Sequence, residues 1–258
     1  MEVAIIGLGM HPFGRSPHKT GLQQGAEAAR EALADAGLSW NDIECGYGGS
    51  QDGGNADAIV NELGLSGLQF TNIFNGCATG GSSLHAAYSA IKSGEYRNAL
   101  VLGFDKHPRG AFNALPADWG IDDWYGETGL MLTTQYFGMK IQRYMHEYDI
   151  SEQALISVAE KAFLNGSITP TAWRKQALSR EEISTSQMVS HPLRKYMFCS
   201  PAEGAVALVI CNSDEAKRFT DKPIFLNAAI VRTRHYGSFE VFSPSQPVIT
   251  ADSPTVIA

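Results

Sequence analysis

Two periods of hydrophobic spacing alternate along the first hundred residues, and the switches between them lay out the elements. Val3-Ala4-Ile5-Ile6-Gly7 is a short apolar run, the pattern of a buried strand. Over residues 21–36 the period lengthens: Ala26, Ala29, Leu33 and Ala36 share one helical face, and Gly37 stands where the helix should stop. A short strand at Cys45–Gly48 leads through a polar loop, 51–55, into a helix at Ala56–Leu63. The β-forming run Phe70-Thr71-Asn72-Ile73-Phe74 follows. Leu84, Ala87, Tyr88 and Ile91 then return to helical spacing, and Ala99–Phe104 reads as another strand. Such alternation predicts a mixed or parallel sheet covered by helices on both faces.

The pattern changes after Phe104. Residues 107–125 hold Pro108, Pro116, Trp119 and Trp124 without periodicity and read as loop. Thr128–Tyr148 is helical, Ser151 caps a helix running to about Leu164, and Ser179-Arg180-Glu181-Glu182 is a capping box for a third. Strand character resumes only at Ala205–Cys211, followed by a helix at Ser213–Phe219 and a strand at Pro223–Val231. We therefore expect a core of residues 1–105 and 200–258, with residues 106–199 inserted and mostly helical. From Arg232 onward the chain is polar and broken by Pro244, Pro247 and Pro254; it should be extended and need a partner surface.

Composition narrows the function classes. A chain of 258 residues suits one large domain, or a core with an insertion. A net charge of −7 and the lack of a long basic run argue against nucleic acid as a partner. No apolar run approaches the roughly 20 residues of a membrane span, no apolar leader opens the chain, and the last residues match no peroxisomal address. The cysteines, 45, 77, 199 and 211, form neither a C-x-x-C pair nor a zinc-like spacing with histidine. Free thiols in a reducing cytoplasm fit this usage.

Cys77 is the most informative of the four. Asn75-Gly76-Cys77-Ala78-Thr79-Gly80-Gly81 joins an extended run to an amphipathic helix. A thiol at such a junction meets free N–H groups and the positive end of the helix dipole, both of which favour the thiolate. Gly76, Gly80 and Gly81 leave the backbone open to a substrate. Two readings fit: an attacking nucleophile, or a small thiol in a tight turn.

Three stretches resemble thiolases. Val3-Ala4-Ile5-Ile6-Gly7-Leu8-Gly9-Met10-His11-Pro12-Phe13-Gly14 resembles their opening strand and turn, and Asn75 to Gly81 their nucleophile turn. Glu203-Gly204-Ala205-Val206-Ala207-Leu208-Val209-Ile210 resembles the strand that closes their N-terminal half, with Glu203 replacing the usual Asp. The three fall in family order at about family spacing, most like the sterol-carrier or lipid-transfer branch. The resemblance implies an α/β thiolase N-terminal half: a mixed five-stranded sheet covered by helices, with an inserted, mostly helical loop domain over the substrate entrance. It implies that Cys77 attacks a 3-oxoacyl-CoA, releases acetyl-CoA or propionyl-CoA, and passes the remaining acyl group to free CoA. Gly76, Cys77 and Gly80 would supply the oxyanion site and backbone approach. Coenzyme A would be a substrate, with no permanently bound cofactor and no metal; a few basic residues suffice for its phosphates despite the negative net charge.

The departure from the family is equally informative. Thiolases carry two similar halves, and their catalytic histidines and second reactive cysteine lie in the second. Nothing here resembles the late Gly-His-Pro-x-Gly motif, and the histidines, 11, 18, 85, 107, 146, 191 and 235, are scattered. A complementary C-terminal half is thus the implied partner, in a hetero-oligomer or a homodimer. Two other classes stay open. One is a thiolase-fold aldolase cleaving steroid side-chain CoA esters, a branch that does not depend on a nucleophilic cysteine. The other is a non-catalytic acyl-CoA-binding subunit.

The remaining motifs carry competing readings. Gly7-Leu8-Gly9 follows a strand, but Pro12 replaces the third glycine of a dinucleotide fingerprint and no helix opens there, so we read a structural turn. His85, eight residues beyond Cys77, is expected in helix packing or at the surface. Asp52 and Asp57 lack the spacing of a calcium loop. Cys211 ends an apolar strand as a core residue, and Cys199 precedes Ser200-Pro201 in a loop. Tyr125, Met131, Tyr136, Phe137, Met139, Tyr144 and Met145 fit either simple core or an acyl channel, with Met131, Tyr136, Met139 and Arg143 as substrate-binding candidates. Arg109, Lys140, Arg143, Lys195 and Arg234 are candidates for the CoA phosphates.

Overall fold

A computed structural model of the chain describes residues 2–110, 115–120 and 122–233. The elements begin with β1 (Val3–Gly14), α1 (Gly21–Ala36), β2 (Cys45–Gly49) and α2 (Val60–Leu63). Next come β3 (Gln69–Asn72), α3 (Thr79–Lys92) and β4 (Asn98–Lys106). Then follow α4 (Trp124–Glu127), α5 (Thr133–Tyr148), α6 (Glu152–Ile168), α7 (Arg180–Ser184), β5 (Met188–Ser190) and β6 (Leu193–Arg194). The series closes with β7 (Glu203–Asn212), α8 (Ser213–Ala216) and β8 (Ile224–Leu226). Two compact units emerge, residues 2–108 with 202–231, and residues 109–201.

The first unit is a mixed sheet in the order β3-β2-β4-β7-β1-β8. β2 runs parallel to β3 and β4, while β4–β7, β7–β1 and β1–β8 are antiparallel. Period-two alternation sorts its side chains onto two faces. Leu100, Leu102 and Phe104 of β4 join Ala205, Ala207 and Val209 of β7 beneath α1; Ala99 and Val101 join Ile210, Ala87, Tyr88 and Ile91 on the α3 side. α1 has the bounds its spacing predicts, fixed by a Thr20–Gln23 capping box and by Gly37 at φ 66°.

The structure corrects several expectations. The sheet has six strands, not five, because three residues of β8 suffice to pair with Val3–Ile5 of β1. β8 is accordingly shorter than Pro223–Val231, and α8 stops at Ala216 rather than Phe219. Gly7-Leu8-Gly9 is no turn: β1 continues through it to Gly14, with a bulge between Ile5 and Gly7. The glycines serve helix packing, since a Cβ at Gly7 would fall 2.2 Å from the Ala32 carbonyl oxygen and one at Gly9 2.0 Å from that of Ala28. Beyond β8, the outer edge of β1 is met by α1 itself: Leu8 N–H donates to Asp35 Oδ2 at 2.9 Å and Met10 N–H to Glu31 Oε2 at 2.7 Å. The Ala56–Leu63 helix is a 3₁₀ turn, Ala56–Ile59, followed by α2.

In the second unit, α5 starts five residues later than its apolar pattern, after Gly129 in the left-handed region at φ 78°. The stretch read as loop contains the 3₁₀ turn Pro116–Trp119 and the start of α4. α6 runs on to Ile168, and the Ser179–Glu182 capping box opens α7 as expected. A hairpin of β5 and β6, too short to show a period, was not foreseen. Ile156, Ala159, Leu178 and Ile183 form a small core with Phe163, Tyr196 and Met197. The proline-broken tail beyond residue 233, Arg234 and His235 included, lies outside the described residues.

Candidate functional site

Cys77 lies in a 3₁₀ turn, Gly76–Ala78, that runs directly into α3, and it is exposed. Its setting is built from the end of the parallel strands. After β3, Ile73 N–H donates to the Gly48 carbonyl at 2.7 Å, holding the chain beside the end of β2. Gly49 admits no side chain there: a Cβ would sit 1.9 Å from the Ile73 oxygen and 2.3 Å from Thr79 Cγ2. Gly76 is left-handed at φ 50°, a conformation that an L side chain resists. Buried Thr79 closes the turn, its hydroxyl accepting from Asn75 N–H at 2.9 Å and donating to the Gly76 carbonyl at 2.7 Å. Asn75 Nδ2 donates to Ser82 Oγ at 2.8 Å.

The opening N–H groups of a helix have no intrahelical acceptor and form the positive end of its dipole. In this run they belong to Gly76 and Cys77, beside the exposed thiol. Gly80 stands in the first turn of α3, and the space its side chain would occupy is open. The arrangement can present a nucleophile and receive a developing oxyanion from one short segment.

The other thiols have different surroundings. Cys45 in β2 and Cys211 in β7 are buried, and burial pushes each thiol up to about 12, with Glu44 and Glu95 adding to the shift for Cys45 and Glu215 for Cys211. Cys199 is exposed in the second unit. His85 is on α3 with Nδ1 2.6 Å from the Ala229 carbonyl, a packing role as expected.

Two polar clusters in the first unit were not foreseen. The buried Glu203 carboxylate receives Lys106 Nζ at 2.8 Å, Ser16 N–H at 2.8 Å and Arg15 Nη1 at 3.3 Å. Burial opposes its ionisation, but the Lys106, Ser16 and Arg15 bonds outweigh burial and hold the acid down at about 2. At the end of β4, His107 Nδ1 lies 2.5 Å from Asp52 Oδ2 and its Nε2 3.1 Å from Asp105 Oδ2. These three residues bring potential metal-ligating atoms within 4.8 Å of one another. Asp105 also accepts from the N–H groups of Gln51 and Asp52, so the cluster ties the loop after β2 to the end of β4. Neither cluster has a local signature, because its members come from distant parts of the chain.

The second unit holds its own cavity of about 1150 Å³. Phe137, Ile141, Tyr144, Leu155 and Phe163 line it, together with the cations Lys140 and Arg174 and the thiol of Cys199. The α5 residues facing it are one position round the helix from Tyr136, Met139 and Arg143; neither these nor Met131 line it. Arg143 is 2.6 Å from Glu147. Arg109 and Lys195 are exposed.

No family model matches the chain. Curated relatives do. An acetyl-CoA acetyltransferase of Methanothermobacter thermautotrophicus is 28% identical over 88% of this chain and 61% of its own length. The benzoylsuccinyl-CoA thiolase subunit BbsB of Thauera aromatica is 28% identical over 91% of this chain and 62% of its own. Sterol carrier protein 2 of Gallus gallus is 26% identical over 93% of this chain and 47% of its own. The chain thus spans about half to three fifths of the length of these relatives. Among solved structures, the Ltp2-ChsH2(DUF35) aldolase superposes with a TM-score of 0.75 at 24% identity, over 86% of this chain and 58% of that one. A monomeric SCP2-thiolase like protein of Mycobacterium smegmatis gives 0.64 at 15% identity, over 84% and 47%. The chain is thus similar over most of its length to acetyl-CoA acetyltransferases, a thiolase subunit and sterol carrier protein 2, and it shares the fold of these solved structures.

Proposed function

We propose that this chain carries the nucleophile of an acyltransferase acting on acyl-CoA thioesters. One observation carries the reading: Cys77 stands exposed at the start of α3 in a hydrogen-bonded, glycine-opened turn, whereas Cys45 and Cys211 are buried and protonated. The Cys77 thiolate attacks the 3-carbonyl of a 3-oxoacyl-CoA; the C2–C3 bond breaks, and the electron pair leaves as the acetyl-CoA or propionyl-CoA carbanion, which takes up a proton. The acyl group on sulfur then passes to the thiol of free CoA, regenerating Cys77. The N–H groups of Gly76 and Cys77 receive the oxyanion of both addition steps. Proton transfer falls to histidines of a complementary C-terminal half, and CoA is a substrate rather than a resident cofactor. The cationic, apolar cavity of the 109–201 unit supports binding of an amphipathic thioester. The four unpaired cysteines support a cytoplasmic setting.

The test is acyl transfer to the protein. Incubation with a 3-oxoacyl-CoA should leave an acyl adduct that maps to Cys77 and is absent from Cys77→Ser. An adduct on any other residue, or none with the C-terminal half supplied, overturns the reading. A second reading is supported by the aldolase at TM-score 0.75: carbon–carbon lysis of a CoA ester without a covalent thioester. Full lytic activity in Cys77→Ser would establish that reading instead.

A further inference from the structure

We infer that Thr79 is a positioning residue for Cys77; this rests on Cys77 being the nucleophile. The two halves of the threonine side chain have separate tasks. Its hydroxyl bridges the turn, accepting from Asn75 N–H and donating to the Gly76 carbonyl, the two residues immediately before Cys77. Its methyl lies against Gly49 at the end of β2, where not even a Cβ could be added. Thr79 itself is 8% exposed, and both bridging bonds are half-buried.

The bridge determines where the opening N–H groups point. The Gly76 carbonyl also accepts the Thr79 N–H, and Ala78 N–H donates to the Asn75 carbonyl at 3.0 Å. With Asn75 N–H bonded to the hydroxyl, the 3₁₀ turn is closed on one side, and the N–H groups of Gly76 and Cys77 are held at the helix start. Thr79 thereby fixes the thiol against α3 while the methyl fixes α3 against the sheet. Valine preserves the shape and deletes the bridge; serine preserves the bridge and deletes the methyl; alanine deletes both.

The experiment follows the alkylation of Cys77 in the full chain, mapped by peptide mass between about pH 6 and pH 9, with folding checked by circular dichroism. Iodoacetamide should modify Cys77 about tenfold more slowly at neutral pH in Thr79→Val and Thr79→Ala, with the pH profile displaced upward, and Thr79→Ser should stay within about threefold of wild type. Folded Val or Ala variants with the wild-type rate and profile overturn the inference, and so does a folded Thr79→Ser that loses the reactivity. If these variants are indifferent while wild-type Cys77 reacts ahead of Cys199, the positioning role alone fails. If wild-type Cys77 reacts no faster than Cys199, the nucleophile reading fails and the inference with it.

Discussion

At the residue scale, the four thiols separate by burial. At neutral pH, limiting iodoacetamide should label Cys77 first and leave Cys45 and Cys211 untouched until the protein unfolds, because burial keeps both protonated. Peptide mapping decides this, and early labelling of a buried thiol would contradict it. Glu203 makes a pH prediction. Its folded value of about 2 lies below the ordinary 4.5, so its ion network stabilises the fold fully above about 4.5 and progressively less as the pH falls toward 2. Thermal unfolding between pH 7 and pH 3 should show Glu203→Gln less stable than wild type at neutrality, the difference shrinking in acid. A constant difference would count against the network. The exposed turn that holds Cys77 at the start of α3 was legible from its neighbours in sequence. Glu203 was legible only as an unusual residue in a strand, because Lys106 and Arg15 lie 97 and 188 positions away.

At the element scale, α1 was readable to its ends because cap, spacing and stop agree locally. The Gly7-Leu8-Gly9 stretch was misread because a glycine that admits a helix carries the same letters as a glycine that turns. The packing makes the distinction testable. Gly9→Ala places a Cβ against the Ala28 carbonyl, which cannot yield without moving α1, and should cost about 1–3 kcal/mol of stability. Gly81→Ala, with open space at its Cβ, should cost far less. Comparable denaturant midpoints for the two would refute the packing account. The β5–β6 hairpin escaped notice since strands of three and two residues show no period.

At the scale of the whole molecule, the change of period after Phe104 announced a segment unlike the sheet, while its cavity arises from the tertiary placing of α5 and α6, which no local spacing encodes. We propose that residues 106–199 contribute to acyl-CoA binding. Hydrogen exchange with a CoA thioester bound should show protection in that segment and around Cys77; protection confined to β8 and α8 would sink the idea. We propose that exposed apolar side chains of this chain are covered by a partner. Apolar side chains such as Phe74 at 71% exposed and Val158 at 70% exposed would gain about 25 cal/mol per Å² on burial. Light scattering should find the isolated chain associating or pairing with a C-terminal half, and a fully active 27.9 kDa monomer would refute this.

The carboxylates of α1 along the outer edge of β1 bear on self-association. An unpaired strand edge is a template on which other chains can add strands, and Leu8 on this one is 49% exposed. Asp35 and Glu31 occupy the Leu8 and Met10 donors that an incoming strand would need. Resistance to self-association at this edge is therefore encoded in a helix some twenty-five positions downstream of the strand it protects, and a search for aggregation-prone segments confined to β1 would find the hazard and overlook its guard.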